Sequence, residues 1–289
     1  MQRFRAASNF ADMDLLAYWN LRERPFEPTW DTRFFFQSRD HDEALNRLTF
    51  LVGERTMLFG MMTGEIGCGK TLTRAVFTER LDPRRFCVAT QENSAFTFSE
   101  LIGLVLEDLD GNPPDSGQTK FARVERLKKV INRVHAEGRH LVLIFDEAQD
   151  MTAATLNELK LLTNMNRAGQ SFLTIVLVGQ PELRPLVAGL PPIDQRISLR
   201  FHLNALDLED SRNYIRHRLK VAGHPTGELF EREAVERAFQ MTLGVPRELN
   251  RVAKLALEFA WVKDYPMVTL KAVEAVLRDL QRHQNLPKA

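Results

Sequence analysis

The chain has 289 residues, a formal net charge of +1 at neutral pH and two cysteines. The near-neutral charge excludes a global attraction to polyanions, so only a local basic surface can argue for nucleic acid. Two cysteines argue against a disulfide framework and fit a reducing compartment. No apolar run approaches the roughly 18–20 residues of a membrane span, and the N-terminus lacks the apolar core of a signal peptide, so we expect a cytoplasmic protein.

Residues 1–38 are predicted to be an irregular lead-in. The segment is rich in prolines and aromatic residues, among them Tyr18, Trp19, Pro25, Phe26 and Trp30. It is too apolar to be a disordered tail, so we expect it to pack on the domain that follows.

The remaining chain predicts strands that alternate with helices, followed by helices alone. The predicted strands are Met57–Met62, Phe86–Thr90, Leu141–Phe145, Phe172–Val178 and Ile197–Leu203. The predicted helices are Asp40–Glu54, Leu72–Leu81, Thr97–Asp110, Gln118–Glu137, Ala154–Met165, Glu209–Ala222, Glu228–Met241, Pro246–Trp261 and Thr269–His283. Alternation of this kind indicates an α/β fold with a parallel sheet and helices on both faces.

A complete phosphate-binding loop lies between the first strand and its helix. It consists of Gly64, Glu65, Ile66, Gly67, Cys68, Gly69, Lys70 and Thr71, with Leu72 opening the predicted helix. Glycines let backbone N–H groups turn toward phosphates, and the helix N-terminus adds partial positive charge. We expect Lys70 to reach the β- and γ-phosphates of ATP and Thr71 to offer its hydroxyl to Mg²⁺. All fixed positions and the flanking strand agree, so a chance glycine-rich turn is the weaker interpretation.

Two adjacent carboxylates, Asp146 and Glu147, follow the buried strand that ends at Phe145. Ligands bind at the carboxyl ends of strands in open α/β sheets. Asp146 is predicted to hold Mg²⁺, directly or through water, and Glu147 to orient and polarise the attacking water. A helix N-cap is the alternative role for one of them, since a helix follows near Thr152. Hydrolysis of ATP to ADP and phosphate is therefore expected.

An α/β nucleotide domain (39–206) followed by a small helical lid (207–289), with the lead-in packed on the ATPase core, is the layout of an AAA+ ATPase. Gln180, just past the fourth strand, is placed to contact the γ-phosphate or the attacking water, as sensor 1 does; the alternative is a turn residue. Arg247 follows Pro246, which favours the first helical position, and can reach the phosphates as sensor 2 does. A solvated surface arginine is the alternative there.

Arg196 lies just before the fifth strand, where AAA+ subunits present an arginine finger to a neighbour's nucleotide. Arg200 competes for that role, and an ordinary salt bridge remains open for either residue. A finger acting in trans predicts a homo-oligomer, arranged as a ring or a helix.

Across nearly its whole length the chain resembles the ExeA-type AAA+ ATPases, the group related to general secretion pathway protein A. The matching segments include Leu21–Phe26, Gly64–Thr71, Asp146–Gln149, Leu159–Asn164, Leu177–Leu183, Gln195–Ile197, Tyr214–Leu219 and Gly244–Asn250. Cys68 departs from the small hydroxyl or glycine usual in that loop position, and a thiol beside phosphates is a predicted oxidation or alkylation site.

The resemblance leaves the biological role open. Secretion members carry a membrane span and a wall-binding domain after the ATPase, neither of which occurs in these 289 residues. ATPases of this build are also similar to the transposition regulators TnsC, TniB, MuB and IstB, which polymerise on DNA with ATP and hand a target to a transposase. The first hypothesis is therefore a DNA-dependent transposition regulator that assembles on duplex DNA. The alternative is an ATPase serving secretion or envelope assembly through protein partners, and a third is a STAND-like signalling switch.

A basic helical segment before the carboxylate strand is the feature that separates these hypotheses. Its cations are Lys120, Arg123, Arg126, Lys128, Lys129, Arg133 and Arg139. Helical spacing places several of them along one side. In DNA-tracking relatives this insertion lines the ring interior, which makes Lys120 and Arg123 the first candidates for DNA contacts. A solvated face is the alternative, since Glu125 and Glu137 are interspersed.

Overall fold

The computed structural model describes residues 15–111, 117–164, 166–167 and 170–284. Its strands are β1 Phe59–Gly64, β2 Phe86–Gln91, β3 His140–Phe145, β4 Asn166–Arg167, β5 Gln170–Ser171, β6 Leu173–Gly179 and β7 Ile197–Leu203. Its helices are α1 Arg39–Gly53, α2 Lys70–Arg80, α3 Phe98–Asp110, α4 Lys120–Ala136, α5 Ala153–Leu159, α6 Leu183–Ala188, α7 Pro191–Asp194, α8 Leu208–Val221, α9 Arg232–Thr242, α10 Pro246–Val262 and α11 Leu270–Gln284. Short 3-10 turns span Thr32–Phe34, Ala148–Asp150 and Lys160–Asn164.

Five strands form one parallel sheet in the order β2-β3-β6-β1-β7, as the alternating pattern predicts. The pair β4–β5 is a separate antiparallel hairpin. Phe145 of β3 pairs with Leu177 of β6, and Thr63 of β1 pairs with Gly179 of β6. The carboxyl ends of these three strands therefore lie side by side, and the residues that follow each strand meet at one edge of the sheet.

The α/β unit comprises residues 39–66 and 70–204. Every residue of β1, β3 and β6 is buried, which fits the near-continuous apolar runs of strands covered on both faces. Helices α3 and α4 pack against this sheet with residues such as Leu101 and Leu127. At the start of α3, Thr97 accepts from the Glu100 N–H while the Glu100 carboxylate accepts from the Thr97 N–H, which is the capping box that the sequence predicts.

The helical unit comprises the described residues up to Ser38, residues 67–69, and residues from Ala205 onward. The lead-in contributes Trp19, Phe26 and Phe34 to the core of this unit, where they pack with residues of α8 to α11. The described contacts join the lead-in to these helices, and its predicted packing on the ATPase core stays a prediction. Its aromatic content indicates burial, but carries no periodic signal that identifies the surface that buries it.

A buried arginine fastens the lead-in within this unit. Arg218 donates from Nε to the Pro25 carbonyl at 2.6 Å and from Nη2 to the Glu27 carbonyl at 2.8 Å. Its guanidinium also lies over the Phe34 ring, 4.6 Å from the centroid. These contacts satisfy a cation that is only 3% exposed.

Two helices differ from their predicted bounds by more than two residues. Helix α9 begins at Arg232 and not at Glu228, because Phe230 and Val268 form a parallel bridge that keeps the preceding backbone extended. The helix expected over Ala154–Met165 is α-helical only to Leu159 and continues as a 3-10 turn to Asn164; Met165 lies outside the described residues. Across the described ranges, none of the helices combines the length and apolarity needed to cross a bilayer.

Candidate nucleotide-binding and hydrolysis site

The phosphate loop begins at the carboxyl end of β1 and ends in α2. Gly67 and Gly69 have φ of 86° and 95°, a left-handed conformation that side chains disfavour. A Cβ on Gly64 would lie 2.7 Å from the Leu203 carbonyl oxygen, so β7 approaches too closely for any larger residue. The sequence therefore places glycine where the loop backbone needs it.

Lys70 is buried inside this loop although it carries a charge. Its Nζ donates to the carbonyls of Gly64 at 2.8 Å and Glu65 at 3.0 Å, and the residue is 6% exposed. The loop carbonyls stabilise an ammonium group that the fold has removed from water. Ile66 is exposed.

Thr71 and Asp146, the two predicted Mg²⁺ ligands, are neighbours. Burial raises the pKa of the Asp146 carboxyl, and the Arg74 charge, the Glu147 N–H and the Thr71 hydroxyl oppose that rise. Asp146 is further fixed by its backbone, because Ser94 Oγ donates to its carbonyl at 2.6 Å. A carboxylate and a hydroxyl side by side are the hard oxygen ligands that Mg²⁺ prefers, so the residues present fit the metal.

Arg74 of α2 completes this cluster, and the sequence analysis missed it. Its Nε donates to Asp146 Oδ2 at 3.1 Å, and its Nη2 donates to Glu92 Oε1 at 3.2 Å. The spacing contained a usable signal: Arg74 lies four residues after Lys70 and three after Thr71, which places all three on one face of a helix. Arg74 supplies the positive charge that a nearly inaccessible carboxylate requires.

Glu147 and Gln180 meet at the edge where β3 and β6 end. Glu147 Oε2 accepts from Gln180 Nε2 at 3.3 Å, and also from Gln149 Nε2 at 2.9 Å. Glu147 makes no side-chain cap hydrogen bond, and the helix that follows is capped by Thr152. The geometry thus gives no support to the N-cap interpretation, and brings the proposed water-orienting carboxylate into contact with the proposed sensor. Gln149 lies in the matching segment Asp146–Gln149, but the sequence pattern predicts no role for it.

In the helical unit, Arg247 lies in the first turn of α10 directly after Pro246. Its backbone N–H donates to the Gly67 carbonyl at 3.3 Å, and its side chain is exposed. A Cβ on Gly67 would lie 2.7 Å from the Arg247 Cβ. The arginine is therefore adjacent to the phosphate-loop residue that is grouped with this unit.

Arg196 and Arg200 make local contacts at the beginning of β7. Arg196 Nη1 donates to the Pro192 carbonyl at 2.5 Å, while Arg200 Nη2 donates to both the carbonyl and the carboxylate of Asp194. Arg200 is exposed and Arg196 is half-buried. The arginine-finger role of either residue toward a neighbouring subunit stays a prediction.

The basic segment on and beside α4 is paired with acceptors from its own chain. Within the described residues, six of its seven cations contact such an acceptor: Lys120 (Glu158), Arg123 (Ser99), Arg126 and Arg133 (Asp110), Lys128 (Glu125) and Arg139 (Glu137). Lys120 also lies over the Phe98 ring. These contacts are what a solvated and internally compensated face would show.

Cys68 is completely buried in the phosphate loop. In this conformation its thiol offers no surface to an oxidant or an alkylating reagent, so the reactivity expected from the sequence is not supported. The other cysteine, Cys87, is half-buried in β2, and burial raises the pKa of its thiol.

Parts of this chain are similar to known proteins. The family model of an AAA domain matches residues 54–187. General secretion pathway protein A of Aeromonas hydrophila is 29% identical over 248 residues, which are 85% of this chain and 45% of that protein. An uncharacterised HTH-type transcriptional regulator of Methanocaldococcus jannaschii is 25% identical over 163 residues, 55% of this chain and 40% of that protein. The chain thus spans less than half the length of these relatives.

Solved structures with a similar fold include the Aeropyrum pernix ORC2 protein in its ADPNP–ADP complexes, with a TM-score of 0.66 and 16% identity over 88% of this chain and 74% of that one. Drosophila ORC bound to DNA has a TM-score of 0.63 and 16% identity over 95% and 69% of the two chains. The Thermotoga maritima RuvB Holliday junction branch migration motor has a TM-score of 0.57 and 15% identity, covering 86% and 73%. The chain therefore has the AAA+ fold, residues 54–187 match the family model of an AAA domain, and the chain is similar to part of general secretion pathway protein A.

Proposed function

We propose that this chain binds ATP with Mg²⁺ and hydrolyses it to ADP and phosphate. The observation that carries the proposal is the position of Glu147, whose carboxylate contacts Gln180 at the sheet edge beside Asp146. Nucleotide binding alone would need the loop and the metal ligands. A second carboxylate after β3, held by one amide donor from its own turn and one from the end of β6, is what water activation adds.

The residues divide the work by their chemistry. When ATP binds, Lys70 donates to phosphate oxygens in place of the loop carbonyls. Thr71 and Asp146 would hold Mg²⁺, which neutralises phosphate charge when bound. Glu147 orients the attacking water by accepting a hydrogen bond from it, and Gln180 donates a hydrogen bond to the γ-phosphate or to that water. Arg247 supplies a further cation for the phosphates, supported by its contact with Gly67.

Two substitutions test this assignment. Glu147→Gln should keep ATP binding but lower kcat by at least about 100-fold, because a neutral amide replaces the carboxylate that activates the water. Lys70, Thr71 and Asp146 remain in this variant. Lys70→Ala should lose tight ATP binding itself. Glu79→Gln, an exposed position on α2, is the matched control. Normal turnover in Glu147→Gln would remove Glu147 from the reaction.

We further propose that the active site is completed between subunits of a homo-oligomer by Arg196. Specific activity should then rise with protein concentration. Mixing inactive Arg196→Ala with inactive Glu147→Gln should restore part of the activity, because some interfaces pair an intact finger with an intact site. The same mixture made with Arg200→Ala identifies which arginine acts. Activity that is proportional to protein at every dilution, without rescue, would contradict assembly.

The partner that ATP hydrolysis serves has two candidates. Assembly on duplex DNA as a transposition regulator, with a transposase as the recruited protein, is supported by the fold shared with ORC bound to DNA and with a branch migration motor. Secretion or envelope assembly through protein partners is supported by the similarity to general secretion pathway protein A. The intrachain pairing of the α4 cations favours the second candidate.

A salt titration of duplex binding, with a non-hydrolysable ATP analogue, separates the candidates. Phosphate contacts would make affinity fall steeply with salt and depend little on sequence. Lys120→Ala with Arg123→Ala should then weaken binding and flatten the salt slope without changing ATP affinity. No binding at low salt, with ATPase activity unchanged by DNA, would contradict the transposition role.

A further inference from the structure

Gln149 uses both ends of its side-chain amide at the candidate site. Its Nε2 donates to Glu147 Oε2 at 2.9 Å, and its Oε1 accepts from the backbone N–H of Gln180 at 2.9 Å. Gln180 Nε2 donates to the same Glu147 oxygen at 3.3 Å. The three residues thus form a closed hydrogen-bonded triangle that joins the turn after β3 to the turn after β6.

Gly179, at the end of β6, leaves the space that the Gln149 side chain occupies. A Cβ on Gly179 would lie 2.7 Å from Gln149 Oε1 and 3.3 Å from its backbone nitrogen. Any residue larger than glycine at the end of β6 would therefore displace the Gln149 side chain. The Gln149 amide is half-buried, and both of its ends are hydrogen-bonded.

Glu147 needs such external support. Its φ is 49°, a left-handed conformation that costs a non-glycine residue roughly 1–2 kcal/mol. Both donors approach one carboxylate oxygen, Oε2, and Oε1 accepts no hydrogen bond from any residue in the described ranges. The triangle consequently holds Oε2 of the carboxylate and leaves Oε1 for another hydrogen-bond donor.

We propose that Gln149 is the positioning residue of this site: it sets the direction of the Glu147 carboxylate and ties it to the position of Gln180. The inference rests on the proposed hydrolytic function and adds a residue to it. Gln149 itself contacts neither the nucleotide loop nor the metal ligands in the described contacts, so it acts through Glu147 and Gln180. Because the same amide holds both partners, a shift of the β6 end is transmitted to the carboxylate.

The test uses Gln149→Met, which keeps the length of the side chain and removes both hydrogen bonds, and Gln149→Glu, which keeps an acceptor for Gln180 but places a like charge beside Glu147. Misplacing a reacting group by about 1 Å costs up to roughly 100-fold, so kcat should fall about 10- to 100-fold in Gln149→Met. It should fall at least as far in Gln149→Glu. The Kd for ATP should stay within about twofold in both, because the phosphate loop is untouched.

A double substitution distinguishes positioning from a purely structural role, because it measures whether the losses of activity at two residues are independent. If Gln149 and Gln180 act on one carboxylate, Gln149→Met with Gln180→Met should lose little more activity than the worse single variant. Gln240→Met, an exposed glutamine of α9, is the control for loss of an amide elsewhere. Thermal unfolding of each variant reports whether the fold is retained.

The outcomes separate this inference from the proposed function. A wild-type kcat in Gln149→Met, while Glu147→Gln is slow, would overturn the positioning role and leave hydrolysis by Glu147 standing. A fall in kcat matched by a loss of ATP affinity would also overturn it, since the effect would then lie in binding. Normal turnover in Glu147→Gln would instead overturn the proposed function on which the inference rests.

Discussion

In the described part of the chain, each of the two units buries an arginine almost completely, and the two arginines have different partners. In the helical unit, Arg218 donates to the carbonyls of Pro25 and Glu27 and lies over the Phe34 ring. In the α/β unit, Arg74 donates to the carboxylates of Asp146 and Glu92. Main-chain carbonyls and a ring give a cation a permanent place, whereas a carboxylate that is also a predicted metal ligand can exchange its partner. Burial alone therefore does not tell whether an arginine has a structural role or belongs to the candidate site. The identity of the groups that accept its hydrogen bonds does.

The largest expected effect is on the helical unit. Arg218→Met should lower the free energy of unfolding by about 3–5 kcal/mol, because two buried carbonyls lose their donor and an aromatic ring loses its cation. Denaturant unfolding measures this loss, and hydrogen exchange in α8 locates it in the helical unit. Lys220→Met, exposed on the same helix, is the control. If Mg²⁺ and ATP restored the lost stability, the comparison between the two arginines would fail.

In the α/β unit we expect a smaller loss in the free energy of unfolding, and one that Mg²⁺ with ATP can reverse. Arg74→Met should cost about 2–3 kcal/mol without ligand, since Asp146 keeps its burial and loses its cation. Mg²⁺ with ATP should recover most of that loss, because a divalent cation then neutralises the carboxylate. Unfolding curves with and without ligand measure both quantities. Arg80→Met, exposed on α2, provides the baseline, and an equal loss in both conditions would make Arg74 as structural as Arg218.

The main features of the α/β unit were predictable from local pattern. The apolar runs identify the strands, and β7 was predicted with the bounds that the structure shows. Gly64 to Thr71 and the pair Asp146–Glu147 stand out in the sequence because short-range backbone and charge requirements dictate their residue types, and their roles stay predictions. Arg74 could have been added from helical spacing alone.

Contacts between segments distant in the chain were not predictable in the same way. The partner of Arg218 lies almost two hundred residues earlier, in a lead-in without periodicity. The pairing of Arg126 and Arg133 depends on Asp110 at the end of the preceding helix. The two contacts of Gln149 require the clearance at Gly179, which appears only once β3 and β6 are aligned.

The pH dependence of unfolding compares the two units through one histidine of each, His140 and His217. His140 of β3 is 1% exposed, and burial lowers its pKa to about 4. The unfolded state therefore binds the proton more readily, so stability is present above the unfolded pKa and is lost as the pH falls from about 6.5 to 4. Between pH 7 and 5 the loss should be about 2 kcal/mol.

His140→Gln should flatten this dependence. His217 of the helical unit is less buried, and its pKa is also lowered by burial, so His217→Gln should flatten it less. Thermal unfolding across that pH range provides both slopes. A larger change of the pH dependence in His217→Gln than in His140→Gln would contradict this expectation.

The smallest effects are expected at helix caps, one in each unit. Thr97 caps α3 and Asp207 caps α8, each accepting from the N–H three residues later. Substitution of either by alanine should cost about 1 kcal/mol. Hydrogen exchange of α3 and α8 shows whether each loss stays in its own unit, and a loss recorded equally in both helices would mean that the units unfold together.

The burial of Cys68 gives the phosphate loop a reporter of its own motion. A thiol with no exposed surface reacts with a labelling reagent only during moments when the loop opens, so the labelling rate measures the free energy of that local opening. Removing the second thiol by Cys87→Ser leaves a single signal. A bound nucleotide should slow the labelling in proportion to its affinity, which makes the reaction of one sulfur atom a kinetic readout of occupancy that requires no hydrolysis at all.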